Sequence, residues 1–187
     1  MAEPQFNPAQ TLKFDFGRGQ VTLQGQGLCM VVPRQALLEL LTAAGDEAAR
    51  NFGHQLGAEV GHRIVERLGS SIHQASVEVL VEHLGGELAL LGLGSLAVER
   101  WNMALVIVMQ GAPAGAAFTA LLRAVVSGAL QRALSRDAAV LELMQSESEL
   151  RLLVVSKFAA PQVQKWLDDK VPWGEVIARL HEQRGEA

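Results

Sequence analysis

Three glycines recur at one-turn spacing, Gly53, Gly57 and Gly61, within FGHQLGAEVGHRIVERLG, a segment that otherwise reads as a helix. Each costs a helix about 1 kcal/mol relative to alanine, so roughly 3 kcal/mol must be offset from outside it. Ala49 extends the row one turn earlier. Positions without side chains let another backbone, or a ligand, come close. The row therefore predicts tight helix packing within the chain, the same packing across a dimer interface, or a ligand laid over the glycines. On this helix, expected over residues 46–68, Phe52, Leu56, Val60 and Ile64 form a second row about 100° around the axis. The two rows together make a broad stripe for burial.

A chain of 187 residues suits one domain with an appendage. Its net charge of −4 and its interspersed signs leave no broad basic field, so no nucleic-acid partner is expected. The single Cys29 excludes an intrachain disulfide framework and a cysteine-rich zinc site, and points to a reducing, cytoplasmic setting. The opening MAEPQFNPAQ has neither a basic nor an apolar segment of the kind a signal peptide needs. The most apolar stretch, residues 84–98, is interrupted by four glycines and Glu87, and makes a poor membrane span.

Residues 1–10 show no periodicity and are expected to be disordered. Residues 12–16 and 21–23 alternate at period 2 about the turn Gly17-Arg18-Gly19, which predicts a small hairpin, and residues 28–32 suit a further strand. Pro33 opens a helix that runs to Leu41. Ser71 and Gln74 have capping-box spacing before a helix over 72–90. After Gly92-Leu93-Gly94, residues 96–99 suit a short strand. The uninterrupted run 103–109 suits a central strand covered on both faces. Pro113 starts a long helix to about Leu134. Phe118, Leu121, Leu122, Val125, Val126 and Ala129 share one face of it, and Thr119, Arg123, Ser127 and Gln131 the other. Residues 139–144 and 150–155 form a hairpin, and Pro161 begins a helical segment broken at Pro172.

This order of elements resembles the 4-vinyl-reductase-type domain, of the superfamily that includes the TRAPP transport-particle subunits. The matching pieces are Gly53-x3-Gly57, Leu91-Gly92-Leu93-Gly94, Val98-Glu99-Arg100-Trp101 and Phe118-x3-Leu122-x5-Gly128. The resemblance covers about residues 30–157, between an N-terminal segment 1–29 and a C-terminal helical appendage 158–187. It implies an α+β fold: an antiparallel sheet against a helical layer, with a long helix before the last hairpin. It also implies dimers and either binding of small hydrophobic molecules or assembly with proteins. Many members carry zinc-binding cysteines at the last hairpin, and haem-binding relatives use a Tyr-x-Ser-x-Arg motif. This chain has neither the cysteines nor any Tyr, so neither metal nor haem is expected.

No phosphate loop, nucleophile elbow or paired catalytic carboxylates can be found, so no catalytic residue and no cofactor are expected. The histidines His54, His62, His73 and His83 lack metal-ligand spacing and read as surface or boundary residues. His54, beside the glycine row, is the one best placed to orient a ligand. A ligand pocket between the glycine helix and the long helix would be lined by Phe52, His54, Gly57, Phe118 and Leu122. Trp166, Trp173 and Ile177 give the C-terminal helices an apolar side that must dock on the domain itself, on a second subunit or on a protein partner. The expected function is a non-enzymatic sensor or adaptor for a small hydrophobic ligand, working as a homodimer. The alternative is a TRAPP-like scaffold associated with small GTPases and holding no ligand.

Overall fold

The computed structural model describes residues 11–23, 27–73, 75, 77–102, 104–112, 115–134, 138–146 and 148–185. The expected disorder of residues 1–10, the Gln74 cap, the Met103 strand start and the Pro113 helix start lie outside that set.

The fold is α+β, with two antiparallel sheets. Strands β1 (Leu12–Asp15), β2 (Gln20–Leu23) and β3 (Gly27–Cys29) form a small N-terminal sheet in that order. Helix α1 (Arg34–Ala44) and the glycine helix α2 (Asp46–Leu68) follow. Asp46 and Glu47 in the first turn of α2, and Arg67 in its last, complement the helix dipole. A 3₁₀ turn (Gly69–His73) delays helix α3 to Val77–Leu90, later than the capping-box spacing suggested. The four-stranded sheet is built from β4 (Ser95–Trp101), β5 (Ala104–Gln110), β6 (Ala138–Gln145) and β7 (Glu149–Ser156), in the order β4-β5-β7-β6. The long helix α4 (Ala116–Leu134) connects β5 to β6, and helices α5 (Ala160–Asp168) and α6 (Trp173–Gly185) close the chain.

Helices cover this sheet on both faces. On β5, Ile107 and Met109 join a core with α2, α3 and α4, while Val106 and Val108 join a second core with α5 and α6. On β7, Leu150 and Leu152 face the first core, and Leu153 and Val155 the second. The period-2 alternation of a strand divides them in this way. Trp166 and Ile177 are 8% and 6% exposed because they line the second core, against the chain's own sheet.

The glycine row is occupied within the chain. A Cβ at Gly53 would lie 2.6 Å from the Leu121 carbonyl oxygen, and one at Gly61 would lie 2.7 Å from that of Ala129. One at Gly57 would meet the Val125 carbonyl. The fit is reciprocal, since a Cβ at Gly128 on α4 would lie 2.7 Å from the His54 carbonyl oxygen. Backbone-to-backbone contact of this kind offsets the low helix propensity of the three glycines. Of the second apolar row, Val60 and Ile64 reach the core, but Phe52 is 45% exposed. The glycine row sets how α2 sits on α4, and the Phe52 end of the other row projects outward.

The polar face of α4 has a job the sequence did not suggest. Strand β6 is an edge strand. Arg123 Nε donates to the Val140 carbonyl at 3.2 Å, and Ser127 Oγ donates to that of Ala138 at 3.3 Å. The stripe thereby satisfies carbonyls on an edge that would otherwise be open to pairing.

Candidate functional site

The five residues expected to line a ligand pocket are not brought together. Phe118 and Leu122 are 1% and 0% exposed in the first core. Gly57 faces the α4 backbone, while Phe52 and His54 turn outward. With the two backbones this close, no ligand fits over the glycines. His62 sits on the solvent side of α2, where Nε2 meets Glu66 Oε1 at 3.2 Å.

His83 corrects the sequence reading. It is fully buried, not a boundary residue, and it belongs to a polar cluster inside the helical layer. Two helices each contribute a pair at i, i+4, which places both members on one face: Arg63 and Arg67 from α2, His83 and Glu87 from α3. Glu87, also 0% exposed, accepts from Arg63 Nε at 2.8 Å through one carboxylate oxygen and from Arg67 Nη2 at 2.6 Å through the other. Arg67 Nη1 stands 3.1 Å from His83 Nδ1. A guanidinium can only donate, so Nδ1 is the acceptor and the imidazole proton resides on Nε2.

Two guanidinium groups therefore converge on one buried carboxylate. Charges are rarely buried without pairing, because each costs several kcal/mol to desolvate. Glu87 was visible in the sequence as the one charge interrupting the most apolar stretch of the chain. Reading that carboxylate as paired, and seeking an i, i+4 Arg pair on a neighbouring helix, would have found the cluster.

Two other polar sites lie on the C-terminal side of the sheet. At one rim, Trp101 packs against Trp173 with ring centroids 4.4 Å apart and donates from Nε1 to Glu99 at 2.9 Å. Arg151 pairs with Glu149 at 2.7 Å and with Glu99 at 3.6 Å. Beyond the β6 edge, an open cleft of about 440 Å³ is lined by Arg123, Glu142, Asp168, Lys170 and Trp173 among others. Its mixed charges suit solvent better than a hydrophobic ligand. Among the described residues, no group of three His, Cys, Asp or Glu side chains could hold a metal ion, and no helix is long and apolar enough to cross a membrane.

No family model matches the chain and no curated sequence matches it, so sequence comparison lends no support to the 4-vinyl-reductase-type or transport-particle resemblance. The fold, however, is similar to that in the crystal structure of the phenol-responsive sensory domain of the transcription activator PoxR with phenol. The TM-score is 0.61 at 16% identity, over 92% of each chain.

Proposed function

We propose that this chain is a sensory domain for a small hydrophobic molecule bearing one polar group, and that it is not an enzyme. The observation that carries this reading is the likeness, along nearly the whole chain, to a phenol-responsive sensory domain. The interior cluster supplies the polar handle such a ligand needs. His83 and Glu87, which hold Arg67 between them, share α3 with the buried leucines Leu80, Leu84 and Leu88. A ligand hydroxyl would share the cluster's hydrogen bonds, its partial negative charge would be stabilised by the guanidinium groups, and its apolar body would pack among the leucines. Entry would require α3 to shift from α2, and that movement would convert binding into a signal.

The test is a thermal-shift series with phenol and alkylphenols, alongside native mass spectrometry of the protein as purified. A concentration-dependent rise in Tm that disappears in His83→Ala supports the reading. No shift at millimolar phenols, together with an unliganded mass, overturns it.

A further inference from the structure

The cleft at the β6 edge is walled by elements that belong to different cores. Helix α4, of the first core, supplies Arg123, and the corner between α5 and α6, of the second, supplies Asp168, Lys170 and Trp173. Glu142 and Leu143 of β6 complete it. The β6–β7 ladder slips by one residue between Glu142 and Met144. A bulge of this kind bends a strand and re-aims its side chains.

Two cations and two carboxylates share this cleft, yet among the described residues none of the four makes an ion pair. Surface charges gain little by meeting in water, so the fold can hold them apart at small cost. Arg123 is the immobile member. Its Nε donates to the Val140 carbonyl at 3.2 Å, which leaves Nη1 and Nη2 without a partner among the described residues. Parallel N–H groups of this kind match a carboxylate. Arg123 and Glu142 are half-buried and therefore less screened by water than the exposed Asp168 and Lys170.

Lys170 follows the cap of α5 with φ at 59°. Its N–H bonds to the Leu167 carbonyl at 3.0 Å, and that of Val171 to the Trp166 carbonyl at 2.9 Å. Glycine is usual at this position, so an ammonium is kept on the cleft wall at a conformational cost. Trp173 is 45% exposed, and Trp101 braces its ring at 4.4 Å. An immobilised ring loses little freedom when a ligand packs on it. Leu167, Val171 and Pro172 extend the apolar wall.

We propose that this cleft binds a free α-amino acid with an apolar side chain. The carboxylate lies on Arg123, the ammonium on Glu142 and the side chain against Trp173. An anion alone would meet two carboxylates, and a cation alone two basic groups, so only a ligand carrying both signs satisfies the walls. The volume of about 440 Å³ is within the range of small-molecule sites, about 300–1,000 Å³. The proposal does not rest on the sensory reading, whose residues lie on α2 and α3.

Calorimetric titration of the full chain with L-phenylalanine tests it. The comparators are 3-phenylpropanoate, which lacks the ammonium, and 2-phenylethylamine, which lacks the carboxylate. L-Phenylalanine should bind with a Kd of about 1 mM or below, and each comparator at least about 10-fold more weakly. Glu142→Gln changes a residue without an ion-pair partner among the described residues. It should weaken L-phenylalanine about 10-fold or more and leave Tm unchanged. Amide shifts in the NMR spectrum of the wild type should centre on Glu142, Leu143, Lys170 and Trp173. No saturable binding up to about 20 mM, a comparator that binds as tightly as L-phenylalanine, a Glu142→Gln variant that binds it unchanged, or shifts centred elsewhere overturns the proposal.

Discussion

At the scale of single residues, the two sharpest constraints are Gly57 and Glu87. Leucine at position 57 would improve local helix propensity by most of a kcal/mol. Its Cβ, however, would land on the Val125 carbonyl, which is backbone and cannot rotate away. Overpacking costs roughly 1–3 kcal/mol and more where backbone must move. Gly57→Leu should therefore lower Tm, and a raised Tm in a calorimetric scan would contradict the packing of α2 on α4. Glu87→Gln removes a buried carboxylate that pairs with two guanidinium groups. Breaking one partner of a buried pair costs about 3–5 kcal/mol, mostly from the charge left unpaired. Chemical denaturation should show that loss with an unchanged m-value. Replacing Arg63, Arg67 and Glu87 together by Met, Met and Leu should recover much of it, and this recovery would separate the cost of unpaired charge from loss of packing.

At the scale of elements, most of the fold was legible. The run 103–109 reads as a strand covered on both faces because its residues alternate between two apolar cores, and β5 is the strand so covered. The glycine row announces a close approach, but spacing alone cannot say which element approaches. The answer lies in Gly128 and the small face of α4, some 70 residues away. The site was less legible. Phe118 and Leu122 read equally well as pocket lining or core, since an apolar helix face carries no mark of which. His83 was misread because its partners come from another helix. The C-terminal helices pose the same problem: an amphipathic side must dock, but the pattern does not name the dock. It is the sheet. Truncation after Phe158 would strip Val163, Trp166, Val176 and Ile177 from Val106, Val108, Leu141, Leu153 and Val155. At about 25 cal/mol per Å² this exposes more apolar surface than a marginally stable domain can lose. The truncated chain should be aggregated, or molten by near-ultraviolet circular dichroism. A cooperative melt would show that these helices are a separable element.

At the scale of the whole molecule, the expected homodimer could form through charged or through apolar faces, and the two respond differently to solution conditions. Exposed acidic and basic side chains pair on the helices, as in His62–Glu66 and Arg179–Glu175, and on the N-terminal sheet, as in Arg18–Asp15. Between Arg18 and Arg34 the chain carries none. A dimer formed through charged faces weakens as salt rises, because the Debye length shrinks from about 10 Å at 0.1 M to about 3 Å at 1 M. A dimer formed through apolar faces has no such attraction to screen. The net charge of −4 adds only a mild mutual repulsion, which salt relieves. Burial of apolar surface is further strengthened by sulfate, which is excluded from the protein surface. The dimer dissociation constant should thus hold steady or fall as sodium chloride is raised to about 1 M, and fall further in sodium sulfate at equal ionic strength. Sedimentation equilibrium across that series measures it directly. A constant rising tenfold or more with salt would mean that charged faces make the contact.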